Sequence, residues 1–164
     1  MSSSEAPKTW LSQEAYDRLQ GELDALIAAR PAVAAEINAR REEGDLRENG
    51  GYHAAREEQG KQEGRIQYLK EFLRNAVVGE VQEVTEVSPG SVVTIYFDDD
   101  QSDTETFLLG SREIAATTDL TVYSPESALG KAIMGAREGQ TVTYTAPSGA
   151  DIKVTVVKFN AFEG

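Results

Sequence analysis

The sequence predicts an α+β protein: an N-terminal antiparallel coiled-coil helical hairpin followed by a small antiparallel β domain with one helix. Three observations carry this prediction. Apolar residues recur every seven positions in two runs of the first half, and a glycine-containing break separates the runs. The second half alternates apolar and polar residues between turn signals. We place the domain boundary near residue 79, giving an N-terminal domain of residues 1–79 and a C-terminal domain of residues 80–164.

The hairpin follows from the register of the two runs. Ser12 is a favourable N-cap, and Glu14 follows in the first turn, where a negative charge suits the helix dipole. The seam positions hold Tyr16, Leu19, Leu23, Leu26, Arg30, Val33, Ile37 and Arg40 in the first run, and Tyr52, Ala55, Gln59, Gln62, Ile66, Leu69, Leu73 and Ala76 in the second. In antiparallel order the paired numbers always add to 92, which places the reversal near residue 46, within a tip at 44–51.

Pro31 interrupts the first run beside two polar or half-polar layers, which pair Arg30 with Gln62 and Val33 with Gln59. Proline removes one helical hydrogen bond, so we expect a kink at this point. Two interpretations remain open: a tolerated weak point in the hairpin, or a hinge that lets it bend.

The second half contains five predicted strands and one short helix. The strands are Ser91–Phe97, Thr104–Leu109, 120–123, Thr141–Thr145 and 152–159, and the helix is 126–134. The aspartates at 98–100 and 103 invite a calcium interpretation. However, they lack the glycine and the closing glutamate of an EF-hand loop, so we interpret them as a solvated turn.

Composition excludes several classes of site. The 164 residues include no cysteine and one histidine, so disulfides, thiol nucleophiles, cysteine-ligated zinc and two-histidine metal sites are excluded. The net charge of −12 argues against strong binding to free DNA or RNA. The sequence shows no signal peptide and no apolar stretch of membrane-spanning length, so we expect a cytoplasmic protein without a membrane partner. We expect a monomer, although heptads would also permit a dimer.

The predicted tip carries two carboxylates, Asp45 and Glu48, three residues apart. Such a pair can perform acid–base chemistry or hold a hard cation, but Mg²⁺ prefers about six oxygen ligands, so the rest would come from a partner or substrate. The alternative is ordinary acidic residues in an exposed turn. The surrounding arginines, which are Arg40, Arg41, Arg47 and Arg56, either form weak surface ion pairs or hold a phosphate backbone. His53 is expected at the surface near the tip, with no partner indicated.

Two motifs resemble the bacterial Gre transcript-cleavage factor family, particularly its actinobacterial members. The first is the stretch 41–66, which contains Gly-Asp-Leu-Arg-Glu-Asn-Gly-Gly-Tyr at 44–52. The second is the stretch 123–139, which begins with Tyr-Ser-Pro-Glu-Ser-Ala-Leu-Gly-Lys. The first departs from the family pattern, since Gly50 and Gly51 stand where Ala-Glu is common. The resemblance implies an FKBP-like C-terminal domain. It also implies roles for Asp45 and Glu48 as catalytic and metal-holding carboxylates, for Arg41 and Arg56 toward the RNA 3′ end, and for Ser124, Pro125, Leu129, Gly130 and Lys131 in polymerase docking.

The resemblance implies a transcription elongation factor that enters the secondary channel of bacterial RNA polymerase and stimulates hydrolytic cleavage of the nascent RNA 3′ end in backtracked complexes. It would be an accessory factor rather than an enzyme. Its Mg²⁺ would be shared with the polymerase, and none would be bound by the isolated chain. Three alternatives remain open: a secondary-channel binder that regulates without cleavage, a peptidyl-prolyl isomerase, and a structural adaptor.

Overall fold

The computed structural model describes residues 8–45, 48–79 and 84–163. These residues form two units. The hairpin unit is Asp17–Asn75, and the β unit combines residues 8–16 with the described chain from Ala76 onward. Among the described residues, none of the helices is long and apolar enough to cross a membrane.

Three helices form the hairpin: α1 at Gln13–Ala28, α2 at Arg30–Arg41 and α3 at Gly50–Arg74. The first four residues of α1 belong to the β unit, and the rest of the three helices belongs to the hairpin unit. The Ser12 hydroxyl accepts a hydrogen bond from the Ala15 N–H at 3.2 Å, as expected of an N-cap. The expected kink is a break at Ala29, which separates α1 from α2 and places Pro31 in the first turn of α2. Proline is tolerated there because the first helical N–H groups have no intrahelical acceptor.

The seam residues predicted from the seven-residue period are all buried or half-buried. The buried ones are Leu19, Leu23, Ile37, Ile66, Leu69 and Leu73. One seam assignment is wrong, because Ala76 lies in a β-strand. The helix ends at Arg74, where the Asn75 side chain donates to the Glu71 carbonyl at 2.9 Å.

Two ion pairs connect the helices on either side of the seam. Arg30 bonds Glu63 through Nε–Oε2 and Nη2–Oε1 contacts of 3.0 and 2.9 Å, which joins α2 to α3. Arg65 bonds Glu22 at 2.7 and 3.0 Å, which joins α1 to α3. Arg30, expected in a layer with Gln62, therefore has its charge partner one residue further along α3.

The β unit contains a two-stranded and a five-stranded sheet. In the first, β1 (Thr9–Leu11) pairs in parallel with β2 (Ala76–Val78). The larger sheet, ordered β5-β4-β3-β7-β6, is formed by β3 (Ser91–Phe97), β4 (Thr104–Leu109), β5 (Thr121–Tyr123), β6 (Thr141–Thr145) and β7 (Asp151–Ala161). All neighbours in it are antiparallel except β4 and β5. The predicted α+β class and five strands are confirmed, but the sheet is mixed rather than antiparallel throughout, because β4 and β5 are parallel. The strands β1 and β2 and a 3-10 helix at Arg112–Thr117 were not predicted from the sequence.

The core of the β unit lies between the larger sheet and the short helix α4 (Ala128–Ile133). Leu129 and Ile133 of α4 pack in the same buried cluster as apolar side chains of β3, β4 and β7. Trp10 of β1 donates its indole N–H to the Gly79 carbonyl at 3.2 Å, and its ring meets the Phe162 ring edge-to-face at 6.1 Å. The N-terminal strand is thus part of the β unit.

The acidic segment at 98–103 forms an exposed turn between β3 and β4. Asp98 adopts φ +52 and donates its N–H to the Lys153 carbonyl at 2.8 Å. The Lys153 ammonium lies 3.0 Å from the Asp99 carboxylate. The aspartates are thus engaged in turn geometry and in pairing with β7.

Candidate functional site

Asp45 and Glu48 lie on one turn in the loop between α2 and α3. Both residues are exposed. The Glu48 N–H donates to the Asp45 carbonyl at 3.1 Å, so the two are the first and last residues of a four-residue turn. Leu46 and Arg47, the latter a member of the predicted basic cluster, lie outside the described residues. The structure therefore places the two predicted carboxylates at the ends of a single hydrogen-bonded turn.

The chain reaches this turn through a reversal at the end of α2. The Glu43 N–H donates to the Arg40 carbonyl at 3.2 Å, which closes the last turn of the helix. Gly44 then adopts φ +148, a conformation that residues with a β-carbon rarely adopt. A β-carbon there would meet no atom within 4 Å, so the requirement for glycine is conformational and not steric.

Asn49 closes the loop on its other side. Its Oδ1 accepts the Tyr52 N–H at 2.9 Å and caps α3, while its Nδ2 donates to the Arg40 carbonyl at the end of α2. One side chain therefore joins the two helix ends. The sequence analysis missed this residue. An asparagine directly before a helix signals an N-cap, but no local pattern indicates the bond to Arg40.

The predicted RNA-facing arginines are both exposed beside the loop. The Arg41 guanidinium lies 5.7 Å from the centroid of the Tyr52 ring, a cation–π distance. Arg56 lies four residues after Tyr52 on α3, hence on the same helix face. The exposed His53 contacts the Tyr52 ring at 5.6 Å between centroids. Tyr52 thus contacts Arg41 and His53, and Arg56 shares its helix face.

Arg40 differs from the other basic residues near the tip. Its guanidinium pairs with Glu36 at 2.8 Å and with Glu43 at 3.6 Å, and the hydrogen bond to Glu36 raises the pKa of Arg40. A β-carbon on Gly51 would lie 3.3 Å from Arg40 Cδ. Gly50 and Gly51, the departure from the family pattern, are the first two residues of α3 and so lie in the helix rather than in the loop.

The second motif forms a compact turn and helix start in the β unit. The Ser127 hydroxyl caps α4 by accepting the Gly130 N–H at 3.0 Å, and it donates to the Ser124 carbonyl at 2.6 Å. The Ser124 hydroxyl accepts the Glu126 N–H at 3.0 Å. Ser124 and Pro125 are half-buried in this turn.

The five predicted docking residues divide into two groups. Leu129 and Gly130 are buried, the first in the hydrophobic core and the second against the Ser124–Pro125 backbone. Lys131 is exposed, and Ser124 and Pro125 retain part of their surface. A partner protein can reach the second group, whereas the first shapes the surface from beneath.

Comparisons with known proteins agree across both units. The family model described as transcription elongation factor, N-terminal, matches residues 9–78, and the model for the GreA/GreB C-terminal region matches residues 82–161. The transcription elongation factor GreA of Mycolicibacterium smegmatis is 60% identical over 158 residues, covering 95% of this chain and 96% of that protein. The GreA of Saccharopolyspora erythraea is 56% identical over 162 residues, covering 98% and 99%.

Among solved structures, the GreA factor homolog 1 (Gfh1) of Thermus thermophilus aligns over 94% of this chain and 99% of its own, with 24% identity and a TM-score of 0.43. The family assignment rests on the sequence matches, which span nearly the whole chain at well above 30% identity. The chain therefore belongs to the GreA/GreB family of transcription elongation factors.

Proposed function

We propose that this chain enters the secondary channel of bacterial RNA polymerase and stimulates hydrolytic cleavage of the nascent RNA 3′ end in backtracked complexes. The observation that carries the proposal is the single turn that presents Asp45 and Glu48, both exposed, between two packed helices. The family membership supports a role in elongation, and the names of the relatives agree. The chain would act in the cytoplasm as an accessory factor, with the catalytic centre in the polymerase.

The chemistry of the two carboxylates fits a shared Mg²⁺. They can supply some of the roughly six oxygen ligands that this ion prefers. Within the described part of the chain, the side chains form no group of three or more histidine, cysteine, aspartate or glutamate residues that could hold a metal. Because two carboxylates fill only part of the coordination shell of Mg²⁺, we propose that the isolated chain binds no Mg²⁺ and that Asp45 and Glu48 hold the ion only together with polymerase groups. When bound, Mg²⁺ lowers the pKa of a water and stabilises the charge of phosphodiester hydrolysis.

The chain's own contribution is positioning. Asp45 and Glu48 would accept hydrogen bonds from the attacking water and orient it, which removes part of the entropic cost of the reaction. Arg41 and Arg56 would bind phosphates near the RNA 3′ end, because a guanidinium can donate two parallel hydrogen bonds to a phosphate. Tyr52 supports this role by holding the Arg41 guanidinium at 5.7 Å from its ring.

The proposed polymerase contact of the β unit involves Ser124, Pro125 and Lys131, which the partner can reach. Leu129 and Gly130 would act indirectly, by holding the Ser124–Pro125 turn in place. The net charge of −12 disfavours free nucleic acid as a partner, so RNA would be contacted only inside the complex. We propose that the factor acts as a monomer.

The test uses stalled, backtracked elongation complexes with labelled RNA, Mg²⁺ and the cognate polymerase. The native protein is compared with Asp45→Asn, Glu48→Gln and the control Glu42→Gln, which neutralises another exposed carboxylate near the same loop. We expect RNA shortening with the native protein and the control, and loss of shortening with both tip variants at unchanged polymerase binding. A native protein that binds but leaves RNA uncut would indicate a channel-binding regulator without cleavage activity. Tip variants with full activity would indicate an adaptor.

A further inference from the structure

Asn49 hydrogen-bonds through its side chain to the ends of both helices that flank the tip loop. The last carbonyls of α2 and the first N–H groups of α3 have no partners within their own helices. Asn49 bonds to one of each: Nδ2 donates to the Arg40 carbonyl, which also accepts the Glu43 N–H at 3.2 Å, and Oδ1 accepts the Tyr52 N–H at 2.9 Å. The carboxamide of asparagine carries a donor nitrogen and an acceptor oxygen on one short side chain. An aspartate carboxylate has no donor at neutral pH, and serine has one hydroxyl on a shorter side chain.

The bridge is connected to the carboxylate turn through the backbone. Glu48 directly precedes Asn49, and its carbonyl accepts the Gly50 N–H at 3.1 Å. The Glu48 N–H in turn donates to the Asp45 carbonyl, also at 3.1 Å. The hydrogen bond to Arg40 ties Asn49 to α2, and the hydrogen bond to Tyr52 ties it to α3.

We infer that Asn49 is a positioning residue for the Asp45–Glu48 carboxylates, acting through its bond to the Arg40 carbonyl in addition to its capping of α3. This inference rests on the proposed function, because the position of the carboxylates matters only if they act together on one ion and one water. It assigns Asn49 no contact with RNA or metal.

Three variants separate the bridge from the cap. Asn49→Ser and Asn49→Asp keep a good N-cap acceptor for α3 but lack the amide donor to Arg40, and aspartate matches asparagine in size. Serine adds no charge near the tip, which controls for the charge of aspartate. Asn49→Ala removes both hydrogen bonds.

The first measurement uses the isolated full-length protein. In Asn49→Ser and Asn49→Asp we expect the Tyr52 N–H to remain protected from hydrogen exchange, while NMR order parameters of the Asp45 and Glu48 amides fall. In Asn49→Ala we expect the protection of the Tyr52 N–H to fall as well as the order parameters of Asp45 and Glu48. Order at Asp45 and Glu48 equal to the native protein in the serine variant would overturn the inference, whatever the cleavage assay shows.

The second measurement is cleavage of RNA in backtracked complexes at saturating factor, with Asp45→Asn measured in parallel. We expect all three Asn49 variants to lose roughly tenfold or more in cleavage rate, because small misplacements of reacting groups are costly. The half-saturating concentration of factor should stay within about twofold, since binding elsewhere is intact.

The two proposals can fail separately. If Asp45→Asn abolishes cleavage but Asn49→Ser cleaves at the native rate, the positioning role is wrong and the proposed function stands. If Asp45→Asn cleaves normally, the proposed function fails, and the order parameters alone then decide whether Asn49 holds the turn.

Discussion

Gly130 packs directly against the carbonyl oxygen of Ser124: a β-carbon at residue 130 would lie 2.2 Å from that oxygen and 3.0 Å from Pro125 Cα. Both contacts are with backbone, which cannot move aside as a flexible side-chain end can. The start of α4 and the Ser124–Pro125 turn therefore require glycine at this position.

We expect Gly130→Ala to destabilise the β unit by about 1–3 kcal/mol, the typical cost of inserting a methyl group into a packed site. Polymerase binding should weaken as well, because the Ser124–Pro125 turn must shift. The measurement is urea denaturation together with a polymerase binding titration. Lys131→Ala is the control for the denaturation measurement alone, because Lys131 is exposed and its loss should leave stability nearly unchanged, whereas it is itself a proposed polymerase contact. Equal stability of Gly130→Ala and the native protein would contradict this packing.

The two units offer separate spectroscopic probes of unfolding. Trp10 is the only tryptophan and lies in the β unit, whereas most helical residues belong to α1, α2 and α3. We expect the helical circular dichroism signal to be lost at lower urea than the tryptophan fluorescence change, because the hairpin seam contains the half-buried polar residues Gln59 and Gln62. Coincident transitions would show that the units unfold as one cooperative system.

The ion pairs of the hairpin predict an acid-dependent loss of stability. The hydrogen bonds from Arg65 and Arg30 lower the pKa values of Glu22 and Glu63 below their ordinary value of 4.5. A lowered folded-state pKa contributes stability that is present above the ordinary value and lost as the pH falls below it. We expect the Tm of the native hairpin signal to fall from about pH 5 to pH 3 more steeply than that of a Glu22→Gln, Glu63→Gln double variant.

The expected difference in Tm is modest, because these carboxylates are more than one-third exposed and solvent screens their interactions. The same comparison at high salt provides the control, since screening weakens exposed ion pairs. Parallel pH profiles of the two proteins at low salt would show that the pairs contribute nothing measurable to stability.

Replacing glycine by alanine should have opposite effects on the stability of the hairpin at two positions. Gly60 lies inside α3 and Gly44 in the tip loop, and a β-carbon would meet no atom within 4 Å at either position. Gly60→Ala should stabilise the hairpin by about 1 kcal/mol, because alanine is the better helix former. Gly44→Ala should destabilise it by about 1 kcal/mol or more, because φ +148 strains any residue with a β-carbon. Thermal melts followed by helical circular dichroism test both, and effects of the same sign would contradict the assignment.

The hairpin could be predicted because the apolar residues of its seam recur at a fixed interval in the sequence. Seam residues such as Leu19, Ile66 and Leu69 repeat every seven positions, and burial follows that repeat. The assignment of Ala76 to the seam was wrong because alanine can occupy a helical seam as well as a β-strand. The interaction that places Ala76 in a strand is its pairing with Thr9. Thr9 precedes the whole hairpin in the sequence, whereas Ala76 follows it. A local pattern cannot indicate such a distant partner.

The candidate site likewise combines features that a short stretch of sequence predicts with features that depend on the tertiary structure. The spacing of Asp45 and Glu48 was sufficient to expect both carboxylates on one turn, because that relation spans only three residues. The bridge from Asn49 to Arg40 and the packing of Gly130 on Ser124 depend on how separate backbone segments approach each other. Such contacts follow from tertiary structure and leave no periodic or compositional signal.

The pairing of Thr9–Leu11 with Ala76–Val78 means that the hairpin is an insertion between two paired strands. A fragment that starts at residue 80 would lack both strands and Trp10, so it is a poor substitute for the β unit in assays such as proline isomerisation. By contrast, replacing residues 17–75 with another hairpin would leave both strands in the chain, because the strands lie outside that range. We therefore expect that hairpins of other lengths, or with other tips, can be accommodated between the same two strands.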